Sequence, residues 1–195
     1  ITSIIAFMAY VDLLILVYQK GIKDDRTSKL FFFYILDMVL LQATYFGVSI
    51  AHSETSALFW YTLNIPISSS QVIIYFFFVR SFLGLKRTRK LVWGSIFIWL
   101  LVLGISIIFK STLFTGIYQD PATGMFLPII GSIAGILLIP TVIFLGATFF
   151  ELARNYKNQS RSHQARTQYL FLSIFIVWAG MAANINPALQ PYAID

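Results

Sequence analysis

Apolar residues gather into six long runs, at about 1–18, 30–51, 57–83, 91–109, 127–150 and 167–186, separated by shorter polar connections. Each run approaches or exceeds the ~20 residues that an α-helix needs to cross the hydrocarbon of a bilayer. None shows the strict alternation of a lipid-facing β-strand. Hydrocarbon offers no partners to a bare backbone, so helices are the expected spanning structures. The pattern predicts an all-α integral membrane protein with six transmembrane helices, built as one domain over residues 1–195. The longest connection, Lys110 to Phe126, carries Asp120-Pro121-Ala122-Thr123-Gly124, where Pro and Gly preset a turn. No internal repeat or low-complexity tract divides the chain.

Composition narrows the function classes. Of 195 residues, 58% are hydrophobic and 11% charged, against about 45–50% and about 25% in soluble domains. So few charges cannot clothe a soluble domain, which excludes a cytosolic enzyme, a nucleic-acid reader and a disordered regulator. The absence of Cys leaves no disulfide, no thiol nucleophile and no Cys-ligated metal. P-loop, HExxH, GxSxG and paired-carboxylate patterns are missing, so no catalytic residue, metal site or cofactor is expected. His52 and His163 fall in connections, and no Lys lies inside a run. A mid-membrane haem, chlorophyll or retinal therefore has no anchor in these residues.

The charges are placed unevenly. The chain carries a formal net charge of +6 and a pI near 9.6. Thirteen of the 14 Lys and Arg residues fall in or beside the first, third and fifth connections, with Lys110 alone on the other side. The positive-inside rule then places connections 19–29, 84–90 and 151–166 in the cytoplasm and both chain ends outside. Those cations meet anionic headgroups rather than nucleic acid. The Asn158-Gln159-Ser160 sequon falls on the cytoplasmic side and is disregarded. A six-span chain that begins and ends outside is expected to be an excerpt of a seven-helix bundle, its seventh span following Asp195.

Polar residues inside the runs are the candidate chemistry, because ionisable groups in a span are costly. Asp12, Asp37 and Arg80 form a candidate intramembrane charged cluster. From the 1.5 Å rise per residue, Asp12 and Asp37 lie roughly 10–12 Å from the first basic connection. The cluster is either a static interhelical arrangement or a set of charges that rearranges during signalling or passes a proton or cation. The third run is interrupted by Asn64, Pro66, Ser68, Ser69, Ser70 and Gln71. Pro66 removes a backbone hydrogen bond and tends to kink the helix. With Trp60 and, from the sixth run, Asn184, residues Asn64 and Gln71 are candidates to bind a small apolar or amphipathic ligand. The alternative is close helix packing through the same Ser and Asn side chains. Gly131 and Gly135 in the fifth run suggest a small-xxx-small helix contact.

The last third adds a resemblance. Arg154-Asn155-Tyr156-Lys157 closes one run, and Arg166-Thr167-Gln168-Tyr169-Leu170-Phe171-Leu172 opens another that ends at Asn184-Ile185-Asn186-Pro187. With Ala57-Leu58-Phe59-Trp60 opening the third run, this resembles the N-terminal seven-helix membrane region of bacterial sensor histidine kinases. The resemblance implies a bacterial plasma-membrane sensor that passes a helix movement to a cytoplasmic effector, with no catalytic residue in this part. Two other readings stay open. One is a non-enzymatic accessory subunit of a respiratory or photosynthetic complex, packed through Phe31-Phe32-Phe33-Tyr34 and Tyr75-Phe76-Phe77-Phe78. The other is a small cation or proton transporter using Asp12 and Asp37. Expected partners are the lipid bilayer, a second copy or other membrane subunits, and a small ligand.

Overall fold

The computed structural model describes residues 2–19, 25–86, 88–121, 124–131, 134–157 and 159–185. It is mostly helical: α1 (Thr2–Gln19), α2 (Arg26–Ser49), α3 (Glu54–Phe82), α4 (Arg89–Ile108), a single turn α5 (Lys110–Leu113), α6 (Ala134–Tyr156) and α7 (Arg161–Ile185). Two short strands, β1 (Phe114–Gln119) and β2 (Phe126–Ile130), separate α5 from α6. Among the described residues, α2, α3, α4 and α6 are long and apolar enough to cross a membrane. Side-chain placement suits such a solvent. Phe97, Ile108 and Phe149 are exposed, whereas Asp37, Thr44, Ser95, Ser106, Thr148 and Thr167 are buried. Polar groups that lack water turn inward to find partners, and apolar ones meet lipid.

The chain divides into two compact units, Ile1–Phe144 and Leu145–Asp195. In the first, α3 packs most extensively on α2, and α1 and α4 flank that pair. The ends of the pair are set by local chemistry. Asp25 caps α2, its carboxylate accepting from Ser28 N at 2.9 Å and from Ser28 Oγ at 2.6 Å. Ser53 caps α3 by accepting from Ser56 N at 3.2 Å, and Glu54 in the first turn complements the helix dipole. The far end of α3 closes where Gly84 takes φ +68°. That left-handed residue lets Leu85 N reach Arg80 O at 2.9 Å and Gly84 N reach Ser81 O at 3.0 Å.

The fifth apolar run behaves differently from its prediction. It divides among the described residues, with Phe126–Ile130 forming β2 and Ala134–Tyr156 forming α6. Apolarity alone does not separate a buried strand from a helix, and Pro128 lacks the N–H a helix interior would use. The Asp120–Gly124 turn then decides the matter. Asp120 N donates to Met125 O and Gly124 N to Asp120 O, both at 2.8 Å, so β2 folds back antiparallel on β1 with Pro128 opposite Ile117. Gly131 therefore precedes α6 and lies against the backbone of Thr112, while Gly135 faces open space. The expected small-residue helix face is not formed. The hairpin closes over Val102, Leu113 and Leu137, a small buried cluster beside Ile65 and Ile105.

In the second unit, the end of α6 meets α7. Leu152 and Thr167 are fully buried, and the Phe149 and Phe171 rings lie 5.3 Å apart. The predicted connection 151–166 is mostly helical, because α6 continues to Tyr156 and α7 starts at Arg161. Hydropathy marks where lipid ends, whereas helix propensity and side-chain hydrogen bonds decide where the helix ends. Here Asn155 Nδ2 donates to Glu151 O at 2.8 Å.

Close approach of α2 and α3 depends on Gly47. A Cβ there would lie 2.3 Å from the Trp60 ring, whereas one at Gly94 in α4 meets nothing. Gly47→Ala is expected to destabilise the purified protein by about 1–3 kcal/mol through overpacking. Gly94→Ala is expected to be neutral or to stabilise by up to about 1 kcal/mol. Thermal unfolding in detergent micelles checks both.

Candidate functional site

The antiparallel α2–α3 contact keeps its register to within about two residues along its length, so that progress along α2 is matched by progress back along α3. At one end Thr27 Oγ1 and Ser81 Oγ share a hydrogen bond of 2.9 Å. The Phe31 and Phe78 rings follow at 5.5 Å, then Tyr34 and Tyr75 at 5.3 Å. Beyond them Ser70 Oγ lies 2.9 Å from Asp37 Oδ1, and Gln71 Nε2 donates to Met38 Sδ. Asn64 Nδ2 donates to Thr44 Oγ1 at 2.8 Å, and Gly47 receives the Trp60 ring at the other end. On α2 the participating positions are related by steps of three, four or seven residues, the spacing of one stripe of a helix.

The centre of this seam is polar and imperfectly matched. Asp37 is 7% exposed. Its Oδ1 accepts from Ser70, while its Oδ2 is buried and has no hydrogen-bond partner among the described residues. The Ser70 hydroxyl is also 2.8 Å from the Ile67 carbonyl, so its one hydrogen faces two acceptors. The neighbouring turn is loosened by Pro66, which cannot donate to Thr62 O. Trp99 of α4 donates its Nε1–H to the Pro66 carbonyl at 3.0 Å, tying α4 to the same turn. The shared hydroxyl, the orphaned carboxylate oxygen and the proline turn lie within one stretch of α3.

Beside the seam, α2, α3 and α4 enclose a groove of about 410 Å³. Arg26 and Lys29 stand at one end, and Ser70 and Trp99 line the other, with Phe33, Ile74 and Ile96 among the walls between. Ser70 is therefore both a wall of the groove and the partner of Asp37.

The residues singled out from the sequence are distributed as follows. Trp60, Asn64 and Gln71 all lie in the α2–α3 contact, where each is engaged by α2. Their geometry is that of the packing alternative. Asn184 falls in the last turn of α7, and its side chain lies outside the described residues. Asp37 meets Ser70, which stands ten residues from Arg80 on α3, about 15 Å at helical rise. Arg80 instead donates to Lys86 O at 3.2 Å and sits 5.6 Å above the Phe76 ring. Asp12 is exposed. The structure thus sets Asp37 apart from Arg80 rather than gathering the three charges. Thr44 and Tyr34 were missed from the sequence, since a lone Thr or Tyr in an apolar run carries no signal until its partner helix is known.

The residues that carried the family resemblance also find partners. Gln168 Nε2 donates to the Tyr156 hydroxyl at 2.8 Å, and Thr167 Oγ1 to Gln159 Oε1 at 2.6 Å. Together they brace the α6–α7 corner. Among the described residues no group of three His, Cys, Asp or Glu side chains could hold a metal ion.

The Thr44–Asn64 bond offers a direct measure of the seam. A double-mutant cycle with Thr44→Val and Asn64→Leu is expected to return a coupling of about 0.6 kcal/mol and no more than about 1.7 kcal/mol, the average and the upper limit for hydrogen bonds between membrane helices. Reversible unfolding in mixed micelles reads it. No family model matches the chain, and no curated protein or solved structure matches it either.

Proposed function

We propose that this chain is the membrane sensory part of a bacterial signalling protein of the sensor histidine kinase type. It passes a stimulus to a cytoplasmic effector by a change in helix packing, and has no catalytic residue of its own. The observation that carries this reading is Asp37: a buried carboxylate in the main helix contact, with one oxygen unpartnered among the described residues and the other held by a shared hydroxyl. A seam in which every buried polar group is satisfied strongly favours one packing, whereas a half-satisfied carboxylate and a shared hydroxyl leave that preference weak. A small slide or rotation of α3 at the Pro66 turn would move Ser70 fully to Ile67 O or fully to Asp37. A stimulus that favours one of these packings shifts the population between them.

In this reading the basic connections lie in the cytoplasm of a bacterial cell and six helices span its plasma membrane. The accessory-subunit reading drew on the two aromatic runs as outward contacts. Phe31, Tyr34, Tyr75 and Phe78 are instead engaged with one another within the first unit, and Phe76 packs on Phe144 at 5.4 Å.

Two experiments test the proposal. In the full-length protein in membrane vesicles, Asp37→Asn and Ser70→Ala are expected to change autophosphorylation by about fivefold or more, the lower end of ordinary coupling energies. Asp12→Asn, at an exposed position, leaves it unchanged. Equal output from all variants, or no phosphorylation at all, removes the reading. For the topology, the chain lacks Cys, so single cysteines report cleanly. An impermeant maleimide applied to intact cells is expected to label His52→Cys and spare Lys90→Cys, and the reverse result inverts the orientation.

A further inference from the structure

We propose that the groove between α2, α3 and α4 is a binding site for an anionic phospholipid, its phosphate at Arg26 and Lys29 and one acyl chain along the groove. The groove extends about two helical turns, from Arg26 to Phe33 on α2, from Phe77 to Ser70 on α3 and from Val92 to Trp99 on α4. That is about 10 Å of depth. It opens sideways, where a bilayer would lie, since Phe33 is 53% and Ile96 is 41% exposed.

Its lining is apolar in effect as well as in composition. Ser95 Oγ is directed to Leu91 O at 2.8 Å, the Trp99 Nε1–H to Pro66 O, and Ser70 Oγ to Ile67 O and Asp37. An occupant at the inner end therefore meets carbon and no donor left over, which suits a hydrocarbon chain rather than a polar metabolite. The outer end is cationic. Arg26 and Lys29 line the groove itself, and Arg80, Lys86, Arg89 and Lys90 lie on the connected ends of α3 and α4. Along the sequence, cations outnumber acids in both connections that meet at this end. Positive charge at the end of an apolar lateral groove is complementary to a lipid whose phosphate is anionic and whose tail is not.

The consequence for the seam is direct. A chain filling the groove packs on Ser70, whose hydroxyl bonds Asp37, so lipid occupancy bears on the shared hydroxyl. Binding itself does not depend on whether the chain signals.

Native mass spectrometry of the protein in neutral detergent, titrated with phosphatidylglycerol or phosphatidylcholine, tests the site. One phosphatidylglycerol is expected to be retained per chain in preference to phosphatidylcholine. Each surface cation is worth roughly fivefold in affinity, so Arg26→Gln with Lys29→Gln is expected to weaken phosphatidylglycerol by about 30-fold. Ile74→Trp, which fills the groove, should abolish retention while circular dichroism shows the helices intact. The double Gln variant keeps the test decisive if Ile74→Trp fails to fold. Equal binding of the two lipids, unchanged binding by the double Gln variant, or a lipid-free dimer occupying this face overturns the proposal. Inorganic phosphate alone is expected not to compete, and competition by it would show a free-anion site instead.

Discussion

The antiparallel contact between α2 and α3 sets the position of every feature around it. In hydrocarbon there is no water to compensate a buried polar group, so each one must be answered by another helix or by its own backbone. Thr44, Asn64 and Ser68 meet that demand, as Asn64 donates to Thr44 and accepts from Ser68 at 3.2 Å. Asp37 meets it by half. The register that brings Asn64 to Thr44 and the Trp60 ring over Gly47 is also the register that brings Ser70 to Asp37. A shift of one residue would bring other side chains to all of these points at once, which ties the polar centre to the packed ends.

The flanking elements hold that register from outside. The Trp99 bond to the Pro66 carbonyl ties α4 to the turn of α3 that the proline weakens. At the other side of the unit the hairpin is fastened to α3 by the Tyr61 hydroxyl, which donates to Phe126 O at 3.0 Å. Its aromatic ring also meets Phe114 at 6.0 Å. α3 is therefore restrained near Tyr61 and near Pro66, while the stretch containing Ser70 lies beside the groove. Movement is cheapest where polar satisfaction is poorest and packing is least complete. In this protein both conditions fall at Ser70.

Much of this was legible in the order of residues. The apolar runs marked the helices now seen at α2, α3 and α4, because lipid-scale apolar length is a one-dimensional property. Asp120, Pro121 and Gly124 marked a turn for the same local reason. Phe126–Ile130 were not legible as a strand, since their apolarity is equally that of a helix and only the partner strand decides. Asn64 and Gln71 were recognisable as unusual residues for a span, but the choice between ligand contact and helix packing was not legible. Their partners, Thr44 and Met38, lie on another helix at a distance no spacing rule encodes.

Asp37 shows the same division in one side chain. An acid inside an apolar run is expensive wherever it points, so its importance follows from the sequence alone. Whether it meets Arg80 or Ser70 depends on how far α2 slides along α3, and the fit of Gly47 to Trp60 belongs to that slide. Hydrophobic length, charge placement and turn chemistry are properties of neighbours along the chain, and the sequence determined them. The half-satisfied carboxylate, the groove behind Ser70 and the hairpin are properties of neighbours in space. Only the packing of the helices decided those, because each requires side chains from separate elements to arrive at one point.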